Sequence, residues 1–309
     1  MNSQQEKKGT RQLSEDDNEM LEALELSDDD AITPPPPDLP AGLPEDERYF
    51  ALISKALAVC ASYKPKFGQK ERGGLSLTEF HTLYGADPFY RWLGVDSPLM
   101  YAAHKAAGGM TSVYRQIGIG CQWIFYRMLQ DHLNLSAEEA AWSYLIPSGD
   151  PNKKPRRLAL DGRIDLENIK DIDVKERLEG WVDEAAEKVL VPTATRDKMR
   201  GVVFEVRQGY KSKDAGRQNK DILNATSAYQ ELYLPVILLF SNQIDGDVAE
   251  RYVQAKWLLL SGSVQGSTVS STYAFCRDVV GYDLAAFFDR NSPRIKGEVE
   301  KILNALLSA

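Results

Sequence analysis

The chain has 309 residues, 43% of them hydrophobic, so it is long enough to bury a substantial core. Its longest apolar runs, such as residues 234–240, are too short to cross a bilayer. The amino-terminal residues do not show the basic segment followed by an apolar segment that predicts a secretory signal. The three widely spaced cysteines, Cys60, Cys121 and Cys276, argue against a disulfide framework and favour a cytoplasmic protein.

The net charge of −8 is unevenly distributed along the chain. Residues 1–48 contain four basic and fourteen acidic residues and therefore carry −10, which leaves +2 for residues 49–309. A nearly neutral body with local basic clusters can bind nucleic acid through a basic cleft, although its charge alone does not demand such binding.

Composition divides the chain into three parts. Residues 1–44 are acidic and contain a proline run, with few large apolar side chains to offset chain entropy, so we predict a disordered tail. Residues 45–145 show the apolar periodicity of helices and predict a helical subdomain. In residues 146–309 strand-like and helix-like runs alternate, which predicts an α/β core that ends in helices.

The helical part contains a glycine pair, Gly108 and Gly109, which breaks a helix or permits a close backbone approach. Thr111 or Ser112 can then cap a following helix. Arg115 near the start of that helix would suit a phosphate at a helix amino terminus. A core helix with one solvated arginine explains the same residues equally well.

The second half of the chain alternates between strands and helices in a simple order. Strands are predicted at residues 189–195, 202–206, 234–240 and 256–260, and helices at residues 171–188, 214–232, 245–255, 275–288 and 292–307. The fully apolar run 234–240 is typical of a parallel strand that is covered on both faces. The alternation implies βαβ crossovers and therefore a mixed or parallel sheet.

Glu205 lies inside the apolar run 202–206, where a carboxylate costs several kcal/mol unless a cation, metal or proton compensates. Arg207 follows two residues later, on the same face of the strand. The next segment is basic, with Lys211, Lys213, Arg217 and Lys220. Together these residues indicate metal-assisted chemistry on a phosphodiester, whereas a structural ion pair at a sheet edge is the alternative.

Two further groups are candidates for contacts to DNA. The polar loop 147–157 carries four cations that can contact phosphates, namely Lys153, Lys154, Arg156 and Arg157. A solvated charge cluster is an equally ordinary explanation for that loop. Gln218, early in the helix after Arg207, has an amide that can recognise adenine or contact a backbone, and an exposed helix position would explain it as well.

The triplet Glu205-Val206-Arg207 resembles the (D/E)xK part of the PD-(D/E)xK nuclease signature. With Gly209, the helix that carries Asn224, and the earlier Gly108-Gly109 pair followed by Arg115, the chain is similar to the AvaI/BsoBI group of type II restriction endonucleases over roughly residues 100–240. The resemblance implies a mixed central sheet of restriction-endonuclease-like type flanked by helices. It also implies Mg²⁺-dependent cleavage of double-stranded DNA at a specific site, a homodimer and a partner DNA methyltransferase.

The arginine at position 207 departs from the family pattern. In the family, the acid of the signature binds Mg²⁺ together with an upstream aspartate, and the lysine orients the attacking water. Arg207 is permanently protonated and cannot act as a base, but it can hold a phosphate oxygen or the water and stabilise the transition state. Lys211 or Lys213 can also move into that role.

The upstream aspartate is ambiguous in the sequence. We expect Asp197, eight residues before Glu205 and close to it across a hairpin, and the alternatives are Asp183, Asp161 and Asp165. Asp197, Glu205 and the backbone carbonyl of Val206 would supply the oxygen ligands that Mg²⁺ prefers, with water and a DNA phosphate completing the shell.

The sequence therefore predicts a type II restriction endonuclease with catalytic residues Glu205, Arg207 and Asp197. The main rival is a non-catalytic DNA-binding protein on a nuclease-like fold, in which Arg207 marks a lost active site. Metal-dependent cleavage separates these two. A small-molecule α/β enzyme would need a glycine-rich phosphate loop or a nucleophile elbow, and the sequence contains neither.

Overall fold

A computed structural model describes residues 35–67, 74–146, 156–209 and 215–308. This part of the chain contains eleven α-helices and six strands, and all of it belongs to one compact unit, Thr33–Ala309. The predicted disordered tail lies outside the described residues up to position 34. Its last ten residues are described, and within them Leu39 packs against the main core.

The helices fall into three groups along the chain. The first group is α1 Glu45–Ala58, α2 Leu77–Gly85, α3 Pro88–Leu93, α4 Pro98–Leu133 and α5 Ala137–Ala140. The second is α6 Ile172–Lys188, α7 Thr193–Arg196, α8 Ala215–Gln230 and α9 Gly246–Gln254. The third is α10 Thr272–Phe275, which continues as a π-helical turn Cys276–Val280, and α11 Leu284–Leu307. None of the described helices combines the length and the apolar composition that a bilayer crossing requires.

The strands form a four-stranded mixed sheet and a separate two-stranded antiparallel sheet. They are β1 Trp142–Ile146, β2 Arg156–Leu160, β3 Gly162–Asp165, β4 Gly201–Arg207, β5 Tyr233–Leu239 and β6 Leu258–Leu260. β1 and β2 pair antiparallel, and the four-stranded sheet has the order β3-β4-β5-β6. β3 is antiparallel to β4, whereas β4, β5 and β6 are parallel to one another. The predicted α/β class, the mixed sheet and the helical amino-terminal part are confirmed.

Strand β4 is central because both of its faces are covered. Val202, Phe204 and Val206 face the larger hydrophobic cluster, to which α1, α4, α6 and α11 contribute. Val203 faces a smaller cluster with side chains from α8, α9 and the β1–β2 hairpin. Phe125 of α4 packs on Phe204 with ring centroids 4.9 Å apart, so the helical part and the sheet share one core.

Gly201 starts β4 where no other residue fits. Its φ is +152°, and a Cβ at this position would lie 2.0 Å from the carbonyl oxygen of Ile164 on the neighbouring strand. A side chain here would therefore separate β3 from β4 and displace the strand that carries Glu205 and Arg207.

The glycine pair in α4 allows close packing and does not break the helix. Helix α4 is 36 residues long, begins after a Ser97 cap and continues through Gly108 and Gly109. A Cβ at Gly109 would lie 2.5 Å from the side chain of Leu306 in α11. The expectation that Thr111 or Ser112 caps a new helix is therefore wrong, because both residues lie inside one continuous helix.

The strand predicted at residues 189–195 is also wrong. Val189 ends α6, Leu190 has a positive φ of 60°, and Thr193–Arg196 form the short helix α7. Pro192 precedes that helix, where its fixed φ and missing N–H are compatible with a helix start. The apolar residues of this segment thus cap the end of α6 instead of joining the sheet.

Candidate active site

Glu205 and Arg207 lie side by side near the carboxyl end of β4, as the strand alternation predicts. An Nη2 atom of Arg207 is 2.8 Å from Oε1 of Glu205. The two side chains are 7% and 13% exposed, so the ion pair is largely removed from water. Such burial requires that each charge be compensated by neighbouring groups.

Asp221 of α8 is a second carboxylate on the same guanidinium. Nη2 of Arg207 is 3.2 Å and 3.3 Å from the two Asp221 oxygens, and the Asp221 side chain is only 3% exposed. The hydroxyl of Tyr252 in α9 donates a hydrogen bond to Asp221 Oδ2. Arg207 is therefore held between carboxylates from two different elements.

Sequence reasoning missed Asp221 and Tyr252, although the sequence carried a signal for the aspartate. Asp221, Asn224, Ala225 and Ala228 recur at the spacing of one helix face, and all four are buried. An acid on the apolar face of an amphipathic helix indicates a compensating cation nearby. No comparable pattern marks Tyr252, which reaches the site only through the packing of α9.

Asp161 lies against the backbone of β4, between β2 and β3. Its N–H donates to the carbonyl oxygen of Phe204 at 2.8 Å, while Gly162 is the register partner of the same residue. Two residues opposite one define a β-bulge, a distortion that re-aims a side chain. The result is that Asp161 Oδ2 accepts a 2.8 Å hydrogen bond from the N–H of Val206, the residue between Glu205 and Arg207.

Gln122 of α4 completes this arrangement from the helical part. Its Nε2 donates to Asp161 Oδ2 at 3.1 Å and to the carbonyl oxygen of Val206 at 3.2 Å. One side-chain amide therefore fixes both the upstream carboxylate and the backbone of the Glu205-Val206-Arg207 triplet.

Asp161, and not Asp197, is the aspartate that contacts the Glu205-Val206-Arg207 triplet. Asp197 is exposed at the end of α7, before β4 begins, whereas Glu205 is the fifth residue of that strand. A strand rises about 3.3 Å per residue, so roughly 13 Å of strand separates Gly201 from Glu205. The expectation that a hairpin brings Asp197 next to Glu205 is not met, because α7 and a turn precede β4.

The other two alternatives also lie elsewhere. Asp165 is at the amino end of β4, where its Oδ2 is 2.8 Å from Arg200 Nη2. Asp183 lies on α6 and is 3.4 Å from Arg196. Neither carboxylate shares a partner with Glu205 among these contacts.

Arg115 is placed differently from the expectation. It lies about halfway along α4, so it has no access to a helix amino terminus, and the phosphate site proposed there is wrong. Arg115 and Gln122 are seven residues apart, which puts them on one helix face about 10 Å from each other. Between them, Gly118 faces Gln208, the residue that follows β4. Arg115 is thus an exposed cation on the helix face that leads to the site.

The carboxyl ends of the parallel strands form one polar edge. Gly209 follows β4, and a Cβ there would lie 3.1 Å from the carbonyl oxygen of Gln243 in the segment after β5. Asn242 and Gln243 are exposed on that segment. Ligands of open α/β sheets bind outside this end of the strands.

Most of the predicted DNA-binding cations lie outside the described part of the chain. This applies to Lys153, Lys154, Lys211 and Lys213. Arg156 begins β2, and Arg217 and Gln218 lie in the first turn of α8, but their side chains are likewise outside the described set. Their contacts with DNA remain predictions.

The donor atoms at the site fit a hard divalent cation. Asp161 and Glu205 supply carboxylates and Val206 supplies a backbone carbonyl, a set of oxygen atoms that suits Mg²⁺. Within the described ranges, no group of three His, Cys, Asp or Glu side chains could hold a metal ion. A cation here would therefore depend on the Val206 carbonyl, water and a substrate oxygen in addition to the two carboxylates.

No family model, curated protein sequence or solved structure matches this chain.

Proposed function

We propose that this protein is a Mg²⁺-dependent restriction-type endonuclease that hydrolyses phosphodiester bonds in both strands of double-stranded DNA. The observation that carries the proposal is the position of Asp161 against the Glu205-Val206-Arg207 triplet. Its Oδ2 lies 2.8 Å from the nitrogen of Val206, the residue between Glu205 and Arg207, so an upstream acid contacts the triplet directly.

The order of elements around this site supports the proposal. A long helix, α4, precedes β1 and β2, which pair antiparallel, and β3, which is antiparallel to β4. Helix α8 then connects β4 to the parallel strand β5. This is the arrangement that the resemblance to PD-(D/E)xK nucleases implies, with one acid on each of two antiparallel segments. The restriction-endonuclease-like fold is part of the proposal.

In this proposal Asp161, Glu205 and the Val206 carbonyl hold the cation. Bound there, Mg²⁺ supplies an activated water and neutralises charge on the phosphate. Gln122 orients Asp161 and the Val206 carbonyl toward one another. Arg207 stays protonated throughout, so it acts by charge on a phosphate oxygen and never as the proton acceptor.

The partners follow from the substrate. One set of these residues per chain cuts one strand, so cleavage of both strands at a symmetric site calls for a homodimer. A DNA methyltransferase with the same specificity would protect the host DNA. The homodimer would act in the cytoplasm. The three cysteines are unpaired and buried, as in proteins of a reducing compartment.

The proposal is tested by incubating the full-length protein with plasmid or phage DNA, in Mg²⁺ or in EDTA. We expect discrete fragments only with Mg²⁺ and a loss of at least about 100-fold in Glu205→Gln. Asp197→Asn is the matched control and should cleave like the unaltered protein, because Asp197 lies at the far end of β4. DNA that stays intact under every condition overturns the nuclease assignment.

One observation favours a second candidate, a DNA-binding protein without catalysis. Arg207 is held between Glu205 and Asp221, and a guanidinium in that position can replace a bound cation as the compensating charge. In that case the DNA would be retarded on a gel but left intact, with equal retardation in Mg²⁺ and EDTA.

A further inference from the structure

Asp221 is a buried carboxylate that the cation site proposed above does not use as a ligand. It lies on α8, and its side chain is 3% exposed. A carboxylate at this depth is costly to keep ionised unless neighbouring groups compensate its charge. Here Arg207 and the hydroxyl of Tyr252 both donate hydrogen bonds to Asp221. Such an arrangement beside a candidate site indicates a functional constraint.

The geometry makes Glu205 and Asp221 competitors for one charge. The same nitrogen, Nη2 of Arg207, is 2.8 Å from Glu205 Oε1 and 3.2 Å from Asp221 Oδ1. Because both carboxylates contact the same nitrogen, the negative charge of Asp221 offsets part of the positive charge that Arg207 presents to Glu205. Tyr252 occupies Oδ2 of Asp221 and fixes the orientation of that carboxylate.

We propose that Asp221, oriented by Tyr252, is a positioning residue that draws the charge of Arg207 away from Glu205 and so keeps Glu205 able to bind a divalent cation. The inference rests on the proposed function, since it concerns the same cation. It adds a role for α8 and α9 to a site otherwise built from α4 and the strands. It also explains how an arginine can stand next to a metal-binding glutamate without neutralising it.

Two substitutions should affect cation affinity differently. In Asp221→Asn the guanidinium of Arg207 loses a charged partner and keeps its contact with Glu205, so we expect divalent-cation binding to weaken about 10-fold. In Tyr252→Phe the charge of Asp221 remains and loses one donor, so its pull on Arg207 increases. Cation binding in that variant should stay unchanged or tighten.

A double-mutant cycle shows whether Asp221 acts through Arg207. If it does, Asp221→Asn should change cation affinity by less than about 2-fold in an Arg207→Gln background. A direct electrostatic effect of Asp221 on the cation would persist in that background.

The experiment is a Mn²⁺ titration of the full-length protein without DNA, with free Mn²⁺ followed by electron paramagnetic resonance and folding checked by circular dichroism. The result that supports the inference is binding that is lost in Glu205→Gln, weakened in Asp221→Asn, retained in Tyr252→Phe and insensitive to Asp221 once Arg207 is replaced. Binding that depends on Glu205 but not on Asp221, or an Asp221 effect that persists without Arg207, overturns the inference and leaves the proposed function intact. Binding that does not depend on Glu205 overturns both.

Discussion

At each end of strand β4 an aspartate contacts an arginine and a tyrosine hydroxyl, but the carboxyl end has more acidic residues. At the amino end, Asp165 meets Arg200 at 2.8 Å and accepts a hydrogen bond from the hydroxyl of Tyr233. At the carboxyl end, Asp221 meets Arg207 and accepts from the hydroxyl of Tyr252. The carboxyl end has two further acids, Glu205 on the same arginine and Asp161 on the adjacent backbone.

The carboxylates at the two ends of β4 have different contacts, and this difference separates a structural cluster from a candidate active site. Asp165 also accepts the N–H of Glu167 at 3.1 Å and thereby caps the turn Leu166–Asn168, so its oxygens serve the local backbone. The guanidinium of Arg200 lies over the Tyr233 ring, 5.1 Å from its centroid. At the other end, Glu205 and Asp221 contact one guanidinium nitrogen, and Asp161 accepts the N–H of the intervening Val206.

The largest expected effect comes from comparing Asp161, which precedes β3, with Asp165, the last residue of that strand. Asp161→Asn should reduce DNA cleavage at least about 100-fold, because it removes a proposed cation ligand. Asp165→Asn should leave cleavage per folded molecule within a few-fold of the unaltered protein. The measurement is the initial rate of plasmid cleavage in Mg²⁺, and equal losses in the two variants would remove the distinction between the two ends.

The free energy of unfolding should depend more on the amino end of β4 than on the carboxyl end, the reverse of the order expected for DNA cleavage. Asp165→Ala leaves Arg200 and Tyr233 without their carboxylate and should lower the free energy of unfolding by about 2–3 kcal/mol, less than a fully buried pair because Arg200 is partly exposed. Glu205→Gln should change it by less than about 1 kcal/mol in EDTA, since Asp221 still compensates Arg207 and one of several like charges is removed. Urea denaturation of both variants measures this, and a larger loss in Glu205→Gln would contradict the assignment of roles.

Much of the fold was predictable from apolar patterning. The strands expected at 202–206, 234–240 and 256–260 lie within two residues of β4, β5 and β6, because each is a short apolar run between turns. The pairing of Glu205 with Arg207 followed from strand alternation. These features depend on local sequence, which is why the sequence could supply them.

The position of Asp161 depends on register, which local sequence does not determine. Strand β3 has only four residues, and two of them, Arg163 and Asp165, are charged, so it lacks the apolar run of a core strand. Its bulge is defined by pairing with Phe204, more than forty positions later. The sequence favours Asp197 because it is near Glu205 along the chain, but Asp197 lies at the end of helix α7 and is followed by a turn, which places it at the other end of β4.

Asp165, Arg200 and Tyr233, at the amino end of β4, should also give the free energy of unfolding a distinct pH dependence. Burial and the hydrogen bond to Asp165 raise the pKa of Tyr233 to about 12, above its usual value of 10. Because the pKa is higher in the folded state, the stabilisation is complete below pH 10 and is lost as the pH rises through about 12.

Tyr233→Phe should therefore lower the free energy of unfolding by about 1 kcal/mol at pH 7. The gap between the two proteins should close as the pH rises from 10 to 12. Urea denaturation at pH 7, 9, 10 and 11 measures that gap, and the comparison isolates Tyr233 from the other buried tyrosines. A gap that is constant across the series would show that Tyr233 stabilises through packing alone.

The smallest expected effect concerns exposed cations near each end of the strand. Arg115, on the α4 face that leads to Gln122, should contact a DNA phosphate, whereas Arg200 at the amino end should not. Arg115→Ala should weaken DNA binding in EDTA about 3- to 10-fold and reduce the salt dependence by about one phosphate contact, since a single ionic contact is lost. Arg200→Ala is the matched control and should leave both quantities unchanged once folding is confirmed. Fluorescence anisotropy over a salt series measures both, and equal effects of the two arginines would mean that DNA does not distinguish the ends of β4.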